Sequence, residues 1–329
     1  MKKNILAAAI TFLLYYPVNA QVFRSNSPLA HTFSIVARDS VTGEMGVAVQ
    51  SHWFSVGTAV SWAEAGVGAV ATQSFVNKSF GIRGLALLKK GLTAQQALDS
   101  LLISDEGREV RQVAIVDTKG NVATHTGKGC IQFATQLQGN QFSVQSNMML
   151  GDQVSNAMAA AFRKSAGKPL GERMLMALEA AQGAGGDIRG QQSAALLIVP
   201  ARSEDKPWDE RTVDLRVDDS KEPIKELRRL YTIQVAYEHM NKGDLAVEKN
   251  DMAKAMSEYN AAMKMIPGNL EMQYWTAITL ANNKQTDQAL PMLKKIFIKD
   301  KNWRELTRRL PVVKLLTVSD ADLKKILAL

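Results

Sequence analysis

Two short runs, TFSIVARD from Thr32 and MGVAVQS from Met45, flank the short segment SVTGE. TFSIVARD alternates in the way a half-buried strand does, and MGVAVQS reads as a second strand. Gly43 in the turn is free to take positive φ. A chain that opens this way begins its fold with an antiparallel hairpin. The Gly- and Ala-rich run GVGAVATQS follows and reads as a strand buried on both faces.

The next elements come in blocks. SFGIRGLALLKKGLTAQQALDSLLIS carries Leu85, Leu88, Leu92, Leu98, Leu101 and Leu102 at roughly helical spacing. Gly91-Leu92-Thr93 divides it into two helices, with Thr93 capping the second. REVRQVAIVDTKGNVATHTG is a second hairpin turning at Lys119-Gly120-Asn121, and FSVQSNMM is a further strand. GDQVSNAMAAAFRKS and PLGERMLMALEAAQGA are helices; Asp152 lies near the start of the first and Pro169 opens the second. QQSAALLIVP and RTVDLRVDD close the region as strands. Sequential hairpins require antiparallel sheets, and helices in two blocks require layers outside them. The pattern therefore predicts an α+β fold in four layers, helix–sheet–sheet–helix, over residues 32–220. A doubly wound parallel fold would need helices and strands to alternate one by one.

Both flanks differ from this region. MKKNILAAAITFLLYYPVNA has a basic head, an apolar run too short to span a bilayer, and Val18 three positions before a break after Ala20. It reads as a secretory signal over 1–20, followed by a polar leader, 21–31, with export to the periplasm or the medium. The single cysteine, Cys130, makes no internal disulfide and reads as a small buried residue. The formal charge is +8, yet residues 21–220 balance at 19 basic and 19 acidic side chains, while 221–329 carry 19 against 13. Two readings stand for that basic surplus: a solvated helix face, or a patch toward an anionic surface. Export and the absence of a recognised binding motif argue against nucleic acid.

Residues 221–329 read as almost pure helix. Gly243, Ala255, Tyr259, Ala262 and Pro267 match the small, aromatic and proline positions of a tetratricopeptide repeat. Ala289 answers Ala255 at that repeat's period. Two such repeats are marginal alone, so the segment should dock on the first domain, on a second copy as a homo-oligomer, or on a protein partner.

The segments TFSIVARD..TGE.GVAV, AGVGAVATQSF.N..FG..GL.LL, GREVRQ...VD..G..A.HTG and GGD.RG.QSAALL, ending in VDLRVDD, resemble the bacterial family catalogued as domain of unknown function 1028. The resemblance runs from about Thr32 to Asp219. It implies an N-terminal-nucleophile hydrolase-like sandwich, in agreement with the four layers, followed here by an all-α tetratricopeptide-like segment. In that superfamily the first residue of the mature domain attacks an amide carbonyl, and its α-amine accepts the side-chain proton. An amine with a pKa near ~8 is a usable base at neutral pH. The resemblance thus points to Thr32 as nucleophile, acting on a small peptide or acylated amino compound. Thirty-one residues precede Thr32, so three outcomes stand open. The His31–Thr32 bond is cut, by the protein or by another protease; another nucleophile serves; or the domain is a silent binding module.

Ser51 and His52 end the second strand, where proteasome-like relatives carry an acid that orients the nucleophile; the Ser–His pair departs from that pattern. In GGDIRGQQSAALL, Asp187 and Arg189 stand beside Gln191 and Ser193. Arg189 either clamps a substrate carboxylate or bridges to Asp187 and stiffens the loop. Asn77 and His125 lie in family-matching loops and either line a cleft or satisfy backbone groups. The four histidines are scattered, with no metal-binding spacing and no phosphate loop, so neither a metal nor a cofactor is expected.

Overall fold

The computed structural model describes residues 29–329 apart from 205 and 207. Residues 1–28, where the secretory signal and most of the polar leader were expected, lie outside the described residues. The opening hairpin forms as expected, with β2 (Thr32–Arg38) against β3 (Met45–Ser51) and Gly43 at φ +75° in the turn. Before it, β1 (Leu29–Ala30) pairs with the end of β5 (Gly68–Phe75), so the last leader residues are built into the domain. Between β3 and β5 come α1 (Gly57–Val60) and β4 (Ser61–Glu64), which also pairs with β5. The helical block is α2 (Ser79–Lys89) and α3 (Ala94–Ile103). Thr93 and Gln96 form a reciprocal capping box at the start of α3, a feature whose loss costs about 1 kcal/mol.

The second hairpin is β6 (Arg111–Asp117) with β7 (Val122–Thr126). Next, β8 (Thr135–Gly139) pairs with β9 (Phe142–Ser146). Only β9 was legible in the sequence. TQLQG is half-exposed along its length and offers no clear apolar alternation. Then α4 (Val154–Lys164), α5 (Leu170–Gly183), β10 (Ser193–Val199) and β11 (Val213–Val217) complete the layers. One sheet runs β1-β5-β6-β7; the other runs β11-β10-β3-β2-β9-β8. Every pairing is antiparallel.

Strand alternation sorts the core. Phe33, Ile35, Ala37 and Val144 face α4 and α5, while Val70, Val113 and Ile115 face α2 and α3. Val36, Val47 and Val49 of one sheet meet Ala69, Ala71, Ala114 and Val116 of the other. The layer order is therefore helices, sheet, sheet, helices. Arg38 donates to the Asp39 backbone carbonyl at 3.4 Å. Asp39 accepts the Val41 and Thr42 N–H groups and meets Arg173 of α5 at 3.3 Å, while Arg38 donates to Gln141.

The C-terminal region is helical, beginning with α6 (Pro223–Glu248), whose two halves belong to different cores. Ile224, Leu227 and Tyr231 complete the α4–α5 cluster, whereas Ala236, Met240 and Ala246 pack with α7 (Met252–Met265). Gly243 allows the close approach of these helices: a Cβ there would stand 2.3 Å from the Tyr259 ring. Beyond lie α8 (Leu270–Asn282), α9 (Thr286–Lys299), α10 (Asn302–Arg309) and α11 (Asp320–Leu327), which share a further core. No helix among the described residues is long and apolar enough to cross a membrane.

Candidate functional site

The antiparallel register sets Ser193, Ser51 and Thr32 in one row across β10, β3 and β2, with Asn147 immediately beyond β9. The period of two that sends Val36 and Ser34 toward the facing sheet sends Thr32 there as well. Thr32 is fully buried, and its hydroxyl donates to the Ala30 carbonyl at 2.8 Å. Nothing in solvent reaches it while residues 29–31 remain in place.

His31 crosses from one sheet to the other, and its carbonyl takes two donors. The Ser51 hydroxyl lies at 2.5 Å and the Arg189 guanidinium at 2.8 Å. Arg189 is itself held by Asp187, whose carboxylate accepts Nε at 3.0 Å and the terminal nitrogen at 2.7 Å. The Asp187 side chain has no exposed surface, and the Arg189 side chain is 29 % exposed. Both readings of Arg189 therefore meet in one side chain: it bridges to Asp187 and also reaches a carbonyl at the site. The paired geometry fixes the plane of the guanidinium and hence its aim.

The His31 ring stands edge-on to Phe75, with centroids 5.6 Å apart, and its Nδ1 lies 2.6 Å from Asn147 Oδ1. Burial pushes the His31 imidazole below its ordinary value, the Asn147 hydrogen bond opposes that, and the nearby Arg189 charge adds to it. The ring is neutral at pH 7, because burial and the Arg189 charge both disfavour its protonated form.

Beneath Thr32 lies a network of buried amides and hydroxyls that the sequence reading did not single out. Gln73 Nε2 donates to the Thr32 carbonyl at 3.2 Å and to Gln112 Oε1 at 2.7 Å. Asn147 Nδ2 donates to the same Gln112 oxygen at 2.8 Å, and Ser34 donates to Gln73 Oε1 at 2.6 Å. Gln145 Nε2 donates to Ser34 at 2.6 Å. Gln112 Nε2 donates to the Ser146 carbonyl at 3.0 Å and to Thr126 at 2.9 Å. Gln73 pairs with Gln112 across one sheet, and Ser34 with Gln145 across the other. A signal was present: VATQSF, RQVAIV and FSVQSN each place a glutamine in an apolar strand.

Of the residues singled out in the sequence, Thr32, Ser51, Asp187 and Arg189 come together. His52 joins through its backbone N–H, which Asp187 accepts at 3.1 Å, while the residue itself is exposed. Ser193 fastens the 53–56 loop to β10, donating to the Trp53 carbonyl and accepting the Val56 N–H at 3.0 Å. Asn77 accepts from the Ser79 N–H and hydroxyl at the start of α2, and His125 Nε2 contacts the Arg108 carbonyl at 2.8 Å. Gln191 lines a different depression, beside Glu179, Lys225 and Arg228. Burial pushes the Cys130 thiol up, which leaves it a poor nucleophile. Among the described residues no His, Cys, Asp and Glu side chains cluster as metal ligands would.

A family model described as Family of unknown function (DUF1028) matches residues 32–227. The chain belongs to this family. The crystal structure of protein SPO2555 from Silicibacter pomeroyi, another DUF1028 protein, is 32 % identical with a TM-score of 0.55. That match covers 61 % of this chain and 85 % of the other. No curated protein matches the chain. The family match starts at Thr32 and ends inside α6. The strand at 29–30, His31 and the helices beyond α6 therefore lie outside it.

Proposed function

We propose that this chain is the latent form of an exported amide hydrolase whose nucleophile is Thr32, unmasked when the His31–Thr32 bond is cut. The observation that carries this reading is the double donation from Ser51 and Arg189 to the carbonyl of that bond, in a buried site. Donors aimed at a carbonyl oxygen stabilise the negative charge that grows on it during attack. The two facing antiparallel sheets between helices support an N-terminal-nucleophile hydrolase-like sandwich, in which strand β2 would carry the nucleophile at its first residue.

Two steps then use one set of groups. In processing, Thr32 Oγ1 attacks the His31 carbonyl carbon and the C–N bond breaks. The hydroxyl proton ends on the Thr32 amine, and water hydrolyses the resulting ester to release the leader acid. In turnover, the freed amine takes the Thr32 hydroxyl proton while Oγ1 attacks the substrate amide. The leaving amine departs with that proton, and water cleaves the acyl ester to regenerate Thr32. Ser51 and Arg189 hold the carbonyl oxygen in both steps, and Asp187 keeps Arg189 aimed. The substrate is a small peptide or an acylated amino compound, met in the periplasm or the medium.

The test is the N-terminus of the mature protein from its host, read by sequencing and intact mass. A start at Thr32 is expected; a sole form beginning near Gln21 removes the hydrolase reading.

A second reading is a non-catalytic exported module with a protein-binding tail. It draws on the complete burial of Thr32 and on the C-terminal helices, where Val312, Val313 and Leu315 are exposed beside Lys314. In it, α6–α7 and α8–α9 form tetratricopeptide-like pairs that dock a partner or a second copy.

A further inference from the structure

We infer that the site emptied by the leader accepts an extended peptidyl group. That group carries a small side chain at its penultimate position and a neutral, hydrogen-bond-donating planar side chain next to the scissile carbonyl. The inference rests on the reading that the His31–Thr32 bond is cut, and it names the substrate of that same site. The intact chain holds the site filled by its own residues, so its shape and polarity can be read from what fills it.

Three contacts define the imprint. First, Leu29 and Ala30 pair antiparallel with Phe75 and Ser74, at a stretch of the β5 edge that β4 leaves uncovered. Their removal leaves main-chain groups at 74–75 for an incoming strand, and strand addition of this kind gives affinity without regard to side chain. Second, Ala30 is fully buried within the apolar cluster between the sheets, so the penultimate side chain has room for little more than a methyl group. Third, the His31 ring meets Asn147 Oδ1 and the Phe75 ring.

The polarity of the third contact follows from the network behind it. Gln112 Nε2 faces the Ser146 and Thr135 carbonyls, which only accept, so Gln112 presents Oε1 to Asn147. Asn147 must then turn Nδ2 toward Gln112 and the Thr32 carbonyl, which leaves Oδ1 toward the ring. Amide orientation is assigned here by the hydrogen-bond partners. An acceptor faces the pocket, so the occupant must donate; in His31 the proton sits on Nδ1. His31 Nε2 has no protein partner, so the pocket addresses the ring nitrogens through Asn147. A site built to receive one donor discriminates strongly against an isostere that lacks it.

The experiment uses the full chain cut at the His31–Thr32 bond and dialysed free of leader. Calorimetry compares the peptide acids Leu-Ala-His, Leu-Ala-Phe and Leu-Phe-His. Leu-Ala-His is expected to bind at least about tenfold more tightly than either of the others. Binding of all three within threefold, or of none, overturns the inference. The same peptidyl groups as anilides separate it from the hydrolase reading. Discrimination in binding with no hydrolysis keeps the imprint and removes the enzyme, whereas hydrolysis without preference does the reverse. Should the cut chain fail to fold, thermal melts of the intact His31→Asn and His31→Leu variants serve instead. Asn, which can donate, should melt closer to the parent than Leu; the opposite order sinks the donor requirement.

Discussion

The layer between the two sheets has an aliphatic end and a polar end, built from the same strands. At one, Val36, Val47, Ala69, Ala71, Ala114 and Val116 pack together, with Ser143 opposite Val36 at its margin. At the other, on the same faces two residues further along, stand Ser34, Gln73, Gln112 and Gln145, with Thr32 just beyond. Both ends are wholly buried. The aliphatic end holds the sheets together through buried area and close packing. The polar end holds them through oriented bonds, each of which must find its partner, because a buried amide left unpaired costs about 1–3 kcal/mol. A fold does not need such a network to close a sandwich. Its position under Thr32 and His31 ties it to the site instead.

The strongest way to sharpen this contrast is Thr32→Ala. It should abolish both appearance of the shortened chain and hydrolysis, while circular dichroism and the melting transition stay near those of the parent. Release of the leader at an unchanged rate would move the nucleophile elsewhere. Arg189→Lys comes next. It keeps the charge but loses the fork that grips Asp187 and the His31 carbonyl, and processing should slow roughly a hundredfold. Equal processing rates by intact mass would show that the guanidinium serves only to stiffen its loop.

The two ends can then be compared directly. Gln112→Leu removes the acceptor shared by Gln73 and Asn147 and should cost about 3 kcal/mol. Val47→Ala, at the aliphatic end, should cost about 2 kcal/mol from lost area and the cavity left. A smaller loss for Gln112→Leu in denaturant titrations would break the contrast, since the polar bonds would then be dispensable.

The mildest effect is on pH. The folded His31 sits below the ordinary value of 6.5, so the unfolded chain binds the proton first as pH falls. Its contribution to stability is present above about 6.5 and is lost as pH drops toward the folded value. His31→Asn should flatten the melting temperature between pH 7 and pH 5; a slope equal to that of the parent would assign the dependence to other groups.

Much of the fold was legible because it is periodic. TFSIVARD alternates, MGVAVQS is a short apolar run after a turn, the leucines of α2 and α3 recur at helical spacing, and Thr93 caps where its hydroxyl suggested. Strand β8 was not, since its polar half-exposed residues carry no such alternation. At the site, Thr32, Ser51, Asp187 and Arg189 were legible as residue types and are brought together; Asn77, His125 and Ser193 were equally visible and serve a turn, a carbonyl and a loop. Asn147 and the glutamines lay unnoticed, because one amide in a strand has no direction until its partners are known.

From its residues alone, this chain determines an antiparallel, layered α+β domain at Thr32 and a helical region after it. Hydrophobic period and turn chemistry are local and can be read along the chain. Tertiary structure alone decided that residues 29–31 close the sheet edge beside Thr32, that Ser51 and Arg189 converge on the His31 carbonyl, and which atom Asn147 offers. Those facts depend on strand register and on bonds between residues more than a hundred positions apart, and only packing in three dimensions sets them.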